Sequence, residues 1–154
     1  MKCYFHGLVV GKDELSKNMG TVSFAIPDIG VIFRSRWMGN LLECQYAALL
    51  SLLRFIETNT DLFKDQNIEI QSDASVVIYQ LTKDTFIFKN VEPYYRMVQS
   101  YKAKLQFKLH WLPQRDNPAC HGLTDTPPLK PSVKINYDIK DSKNANRRGG
   151  VLPM

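Results

Sequence analysis

The sequence has no long apolar run and few cysteines. No stretch approaches the roughly 20 consecutive apolar residues of a membrane-spanning helix, and the apolar segment before Gly11 is too short for a signal peptide. The three cysteines, Cys3, Cys44 and Cys120, form no CxxC pair, and an odd count is poorly suited to a disulfide framework. We therefore expect a cytoplasmic protein with reduced thiols and no membrane partner.

The sequence also lacks the ligand spacing of a zinc finger and a strong excess of one charge. Its three histidines lie at no finger spacing from the cysteines. The net charge is +5, and residues 125–154, with 6 Lys and Arg against 3 Asp and Glu, carry +3 of it. This balance permits a polyanionic partner without requiring one.

The composition predicts one domain followed by an extension. A length of 154 residues with 44% hydrophobic residues suits a single globular domain. From Pro127 onward the chain is rich in Pro, Lys, Asn and Gly and has few large apolar residues. We therefore expect a domain over 1–126 and a basic C-terminal extension over 127–154. Within the extension only 133–139 alternates apolar and polar residues, which suits either addition to a sheet edge or docking on a protein partner.

The apolar periodicity predicts five strands and four helices. Apolar, β-rich or alternating runs indicate strands over 3–10, 20–26, 31–37, 67–72 and 107–112. Helical spacing indicates a first helix over 42–56, with Asn40 as its N-cap. Further helices are expected over 75–81, 93–105 and 116–124. Pro27 and Gly30 predict a tight turn between the second and third strands.

The order of these elements predicts the fold class. Three consecutive strands with short turns indicate an antiparallel meander, and the later strands are linked through helices, so each should be parallel to a neighbour. The expected fold is therefore an α/β domain with a mixed five-stranded sheet flanked by helices.

Four segments, in this order, resemble the ribonuclease H-like family, closest to its compact branch in retroelements and small microbial proteins. The segments are Tyr4-Phe5-His6-Gly7, Asn40-Leu41-Leu42-Glu43 with Ala47-Ala48-Leu49, Ile70-Gln71-Ser72-Asp73 with 76–81, and Trp111–Leu123. The resemblance covers roughly 3–124 and leaves the extension unexplained. It implies the same five-stranded fold, with an activity on the RNA of RNA–DNA hybrids.

The resemblance also implies a site with two acidic residues replaced. In the family four acidic side chains hold two divalent cations, about 4 Å apart, that drive phosphodiester hydrolysis. Glu43 and Asp73 match two of these positions, whereas His6 and His121 stand where the family has aspartate. Since Mg²⁺ prefers oxygen ligands, its reaction should be lost or severely weakened.

The cofactor expectation follows from these replacements. We expect no required cofactor, because a histidine in this cluster can hydrogen-bond a carboxylate and relieve the repulsion between clustered acids. If His6, Glu43, Asp73 and His121 do hold an ion, a mixed set of imidazole and carboxylate ligands favours Mn²⁺ or Zn²⁺ over Mg²⁺.

The positions that the resemblance links to nucleic-acid contact are also partly replaced. Asn40 matches an asparagine that contacts the nucleic-acid backbone, but Met38 and Gly39 depart from the pattern before it, as does Ala74 after the fourth strand. Arg34 and Arg36 lie two apart on a strand and therefore share one face, where they suit phosphate contact or simple solvation. Tyr94, Tyr95 and Tyr101 suit either a base-stacking platform or, at helical spacing, the core.

Each site residue also has an ordinary structural interpretation. Glu43 suits a partly solvated helix position, Asp73 suits a helix N-cap, and His6 suits a hydrogen-bonded strand position. We favour a degenerate, non-catalytic protein that binds nucleic acid or serves as a structural module in an RNA–protein assembly. The alternatives are a nuclease with an altered, Mn²⁺-preferring site and a protein-interaction module without a nucleic-acid role.

Overall fold

A computed structural model describes residues 1–9, 18–85 and 89–121, which contain a five-stranded sheet with helices on both of its faces. The strands are β1 Lys2–Val9, β2 Asn18–Ile26, β3 Val31–Gly39, β4 Ile68–Ser72 and β5 Phe107–Trp111. Their spatial order is β3-β2-β1-β4-β5. The pairs β1–β2 and β2–β3 are antiparallel, and β1–β4 and β4–β5 are parallel. This confirms the fold class and strand directions expected from the sequence.

Four α-helices complete the described fold. They are α1 Leu41–Thr58, α2 Ser75–Thr82, α3 Glu92–Leu105 and α4 Pro118–His121. Asn40 is the N-cap of α1 as expected, and Pro93 occupies the first turn of α3, where its missing N–H costs nothing. None of the helices in the described ranges combines the length and apolar character needed to cross a membrane.

The main core lies between the sheet and the face of α1. Side chains alternate along β1, so Cys3 and Phe5 point into this core together with Leu49 and Leu52 of α1. A smaller cluster on the opposite face joins Ala25 and Ile32 to Ala119 of α4. α1 therefore covers one face of the central strands, and α4 covers part of the other.

The start of α1 crosses β1 at very short range. A Cβ atom added at Gly7 would lie 2.6–2.8 Å from backbone atoms of Cys44 and Gln45. Only glycine fits at this crossing, so Gly7 fixes how closely the helix approaches the strand. The same crossing fixes the position of Glu43, one residue before Cys44.

Two expectations were wrong, and each has a local cause. The last helix does not begin at 116: residues 114–116 form a 3₁₀ turn, and Asn117 is extended because a following proline disfavours the α conformation. The described part of this helix is Pro118–His121, and its expected end at 124 stays a prediction. Asp73 is not an N-cap, since α2 follows Ala74 and has no side-chain cap.

Val10, residues 122–124 and the extension 127–154 lie outside the described residues.

Candidate functional site

The parallel pairing of β1 with β4 brings His6 and Asp73 together. Phe5 of β1 is paired with Ser72 of β4, so the residues that follow them, His6 and Asp73, are also neighbours. The two side chains meet in a hydrogen bond of 3.0 Å between His6 Nδ1 and Asp73 Oδ1. The side chains of His6 and Asp73 are only 8% and 15% exposed. The imidazole–carboxylate hydrogen bond expected from the sequence is therefore present in the structure.

Asn117 completes this cluster from the segment before α4. Its side-chain Nδ2 donates to Asp73 Oδ1 at 2.7 Å and to the Phe5 carbonyl oxygen at 2.9 Å. Its Oδ1 accepts from the Ala119 backbone N–H at 3.0 Å. Because Asn117 is fully buried, these bonds fix the start of α4 against β1 and against Asp73.

The electrostatics of the pair favour an ionised Asp73. Burial favours the neutral acid, but hydrogen bonds from His6 and Asn117, with the charge of His6, outweigh it and lower the pKa of Asp73 below its ordinary value. An ionised carboxylate only accepts, so His6 must carry its proton on Nδ1. His6 Nε2 is buried and has no hydrogen-bond partner among the described residues.

Glu43 lies at the start of α1 and takes part in a capping box. Its Oε1 accepts from the Asn40 backbone N–H at 2.9 Å, and its own N–H donates to Asn40 Oδ1 at 2.8 Å. Glu43 is only 4% exposed. It also lines a cavity of about 510 Å³ between α1 and α3, together with Trp37, Arg54 and Tyr94. The interpretation of Glu43 as a partly solvated helix residue is wrong.

His121 makes a hydrogen bond to a backbone carbonyl. It is exposed, and its Nε2 donates to the Gln114 carbonyl oxygen at 3.0 Å. Within 1–9, 18–85 and 89–121, no three His, Cys, Asp or Glu side chains are placed to share a metal ion. Of the four residues expected to meet, the structure pairs His6 with Asp73 and gives Glu43 and His121 other partners.

These contacts test whether the site suits the divalent cations that the resemblance implies. Asp73 Oδ1 accepts two N–H groups, from His6 and Asn117, at the place where a cation would need that oxygen. The Nδ1 of His6 is used by the same hydrogen bond. This arrangement does not fit a two-cation site, because protein N–H groups occupy the acceptor positions of the carboxylate oxygen that would bind a cation.

The expected nucleic-acid contacts lie on or near the sheet. Arg34 is opposite Ser23 on β2, which is opposite His6 on β1, so the three residues form a row across the sheet. Arg36 lies two residues further along the same face and is exposed. The side-chain oxygen of Asn40 is used inside the protein by the capping box.

The tyrosines of α3 behave mainly as packing residues. Tyr95 is 6% exposed and donates to Asp84. Tyr94 stacks on Tyr46 with ring centroids 6.3 Å apart, and Tyr101 packs partly buried against the main core. The core interpretation therefore suits them better than an exposed platform.

Sequence reasoning missed the role of Asn117 and the polar link from Ser23 to α4. Asn117 lies inside the matched run Trp111–Leu123, so the motif contained it, but no spacing rule indicates a bond across 44 residues to Asp73. Ser23 donates to the Ala119 carbonyl oxygen at 2.8 Å. Ser23 stands at a polar position of an alternating strand, so the pattern of the sequence did not distinguish it.

Solved structures with this architecture are ribonucleases H. LC11-RNase H1, isolated from compost by a metagenomic approach, has a TM-score of 0.61 at 11% identity over 78% of this chain and 89% of that one. The same protein with an RNA/DNA hybrid gives a TM-score of 0.61 at 11% identity over 75% and 87%. RNase H1 from the archaeon Halobacterium salinarum NRC-1 gives 0.51 at 18% identity over 79% and 92%.

At these identities the likeness concerns the fold. No protein-family model matches this sequence, and no curated protein sequence does. The strand order, the mixed strand directions and the placement of the helices all agree with the solved ribonucleases H. The chain therefore has the ribonuclease H-like fold.

Proposed function

We propose that this protein is a non-catalytic ribonuclease H-fold module that binds RNA or an RNA–DNA hybrid within an RNA–protein assembly. The observation that carries the proposal is the set of hydrogen bonds that the Asp73 carboxylate accepts. Its carboxylate oxygen is held by His6 at 3.0 Å and by Asn117 at 2.7 Å, which are contacts that replace those of a cation.

The loss of catalysis follows from charge and ligand type. Two dications need several carboxylates around them, and imidazoles supply neither the negative charge nor the hard oxygen ligands that Mg²⁺ prefers. His6 is already bonded to Asp73, and His121 to the Gln114 carbonyl. Glu43 serves the N-terminus of α1.

Binding is supported by separate features. Arg34 and Arg36 stand on one face of the sheet, in or near the row that contains His6, and arginine pairs well with phosphate oxygens. The chain carries a net charge of +5, which favours a polyanion. A protein of the same fold, LC11-RNase H1, has been solved with an RNA/DNA hybrid.

The remaining proposals concern the place of action and the partners. The free cysteines Cys3 and Cys44 are buried, which suits a reducing compartment such as the cytoplasm. We propose that the extension 127–154 contacts the nucleic acid or a protein of the same assembly, in view of its positive charge.

A paired cleavage and binding assay tests the function. We expect the purified protein to shift a labelled RNA–DNA hybrid in a gel without cutting it in Mg²⁺ or Mn²⁺. Arg34→Ala with Arg36→Ala should weaken the shift. The control, Lys64→Ala, removes an exposed lysine beyond α1 and should leave the shift unchanged.

Two variants show whether any observed cleavage comes from this site. Glu43→Gln keeps the capping box, since glutamine also suits that position, but removes one acid. Cleavage by the natural protein that is lost in Glu43→Gln would contradict the proposal, and a preference for Mn²⁺ would then identify an altered nuclease. Cleavage gained only by the double change His6→Asp, His121→Asp would support it. A protein that binds no nucleic acid would instead be a protein-interaction module.

A further inference from the structure

Three large apolar side chains are exposed around the end of β5 and the start of α2. Trp111 is 55% exposed, Tyr79 is 53% exposed and Val76 is 41% exposed. We call these three residues the Trp111 patch. Exposed aromatic rings in one region of a small domain are unfavourable in water and usually mark a binding surface.

The sheet register brings the parts of the patch together. Trp111 is paired with Ser72 at the end of β4, and the Leu112 N–H donates to the Ser72 carbonyl oxygen at 3.0 Å. The chain that leaves Ser72 enters α2 at Ser75, so Val76 lies four residues beyond this pairing. α2 also packs directly against β5.

The alternation of both elements indicates which way the side chains point. On β5, Phe107 and Leu109 pack against the main core, so Trp111, two residues later, lies on the same face of the sheet as α2. On α2, Val77, Ile78 and Leu81 are buried. Val76 and Tyr79 are three residues apart and share the solvent side of the helix.

Exposed positive charges flank the patch. Lys83 follows α2 on the same helical side as Val76 and Tyr79. Arg115 lies four residues beyond Trp111, and the exposed acid Asp116 follows it, so Lys83 is the cation that no neighbouring acid of this turn offsets. The nearby acid Asp84 is engaged, since its carboxylate accepts from Tyr95 and Gln99 of α3. Aromatic rings between cations form a surface on which unpaired bases stack while lysine and arginine contact the phosphates.

We infer that the Trp111 patch binds single-stranded nucleic acid by base stacking. A duplex keeps its base faces inside the helix, so its bases cannot lie on Trp111 or Tyr79 except at its ends. An unpaired strand presents a free face at every nucleotide. The inference builds on the proposed nucleic-acid function and names the form of the ligand, an unpaired strand.

Fluorescence titration with an unstructured RNA strand of about ten nucleotides tests this inference. The chain has 2 tryptophans, and Trp37 is only 9% exposed while Trp111 is 55% exposed. We expect the strand to quench Trp111 emission in the natural protein. An abasic strand of the same length, with the same phosphates, should bind at least about tenfold more weakly, since stacking contributes roughly 1–3 kcal/mol per base.

Variants separate stacking from general charge attraction. Because both Trp111 variants lack this fluorophore, their affinity is measured by the gel shift of a labelled strand. In that assay Trp111→Ala should weaken binding of the RNA strand about tenfold or more, and Trp111→Phe, which keeps an aromatic face, should keep affinity within about threefold. The control Met97→Ala removes an apolar side chain of similar exposure, 51%, from α3 and should change nothing.

The outcomes distinguish this inference from the proposed function. Equal binding of the RNA strand by the natural protein and Trp111→Ala, or equal binding of the abasic strand, overturns the stacking inference. If the protein still shifts the hybrid in that case, the proposed function stands without it. If neither the strand nor the hybrid binds, both fail.

Discussion

The side chain of Asn117 joins three segments that are far apart in the sequence. It donates to Asp73 after β4 and to the Phe5 carbonyl of β1, and it accepts from Ala119 at the start of α4. Removing this buried amide would leave the Ala119 N–H without its acceptor. It would also take one hydrogen bond each from Asp73, which keeps His6, and from the Phe5 carbonyl, which keeps Ser72.

Replacing Asn117 by alanine should therefore destabilise the domain. We expect Asn117→Ala to lower the free energy of unfolding by about 1–3 kcal/mol, measured by urea denaturation, since the Ala119 N–H loses its acceptor and Asp73 and the Phe5 carbonyl each lose one donor. Gln66→Ala, a change at an exposed position, is the control and should stay within about 0.5 kcal/mol. Equal stability of the two variants would show that the bonds of Asn117 contribute nothing net.

The pKa of Asp73 predicts how the stability contribution of the pair depends on pH. Burial favours the neutral acid, but hydrogen bonds from His6 and Asn117 hold the pKa below 3.8. A carboxyl group with a lowered pKa stabilises the fold fully above its unfolded-state pKa, and this stabilisation disappears as the pH falls through the folded-state pKa. We expect Asp73→Asn to be less stable than the natural protein at neutral pH, and the difference to shrink below pH 3.8.

Urea unfolding at a series of pH values measures this difference. The control is Asp61→Asn at an exposed position, which should stay within about 0.5 kcal/mol of the natural protein at neutral pH. A difference for Asp73→Asn that stays constant or grows in acid would contradict the pairing with His6.

At the scale of the elements, glycine positions set the approach of α1 to the sheet. A Cβ at Gly7 would meet backbone atoms of Cys44 and Gln45 at 2.6–2.8 Å, which cannot move without shifting the helix. A Cβ at Gly39 would meet the side chain of Glu43 at 3.0–3.1 Å, and a side chain can adjust. The two glycines therefore differ in how much they constrain α1.

The same substitution at both glycines tests this difference. We expect Gly7→Ala to cost about 1–3 kcal/mol of unfolding free energy in thermal or urea denaturation, because it overpacks a backbone contact. Gly39→Ala should cost clearly less, since only the Glu43 side chain must shift. A larger loss at Gly39 than at Gly7 would mean that the capping box, not the crossing, controls the position of α1.

The elements were predictable from sequence to the extent that local patterns determine them. Alternation and helical spacing located all five strands, and Asn40 marked the start of α1 within one residue. The last helix was misplaced because Asn117 and Pro118 interrupt an otherwise helical pattern. The pairing of His6 with Asp73 followed from the resemblance and the strand order, whereas the cavity beside Glu43 depends on how α1 and α3 pack, which no local pattern contains.

At the scale of the whole molecule, the candidate groups divide between the two faces of the sheet. Glu43 belongs to α1 on one face, while His6, Ser23 and α4 meet on the other. Cations of a shared site would have to lie between these groups. In the described structure, however, the Glu43 carboxylate accepts from Asn40, and the Asp73 carboxylate accepts from His6 and Asn117. The ribonuclease H-like fold does not by itself determine the chemistry of these side chains, because function depends on the site rather than on the architecture.

The extension 127–154 should be dispensable for this fold but important for binding. All the described strands and helices lie within residues 2–121, so a chain ending at Thr126 should keep its melting temperature within about 2 °C, a shift equivalent to less than about 1 kcal/mol. The removed residues 127–154 carry 6 Lys and Arg against 2 Asp and Glu, and loss of cationic contacts weakens binding most at low salt. We therefore expect the shortened chain to bind single-stranded RNA several-fold more weakly, with a shallower dependence on salt concentration. A shortened chain that unfolds would place the extension in the core, and one that binds RNA with unchanged affinity and salt dependence would remove the extension from the nucleic-acid interface.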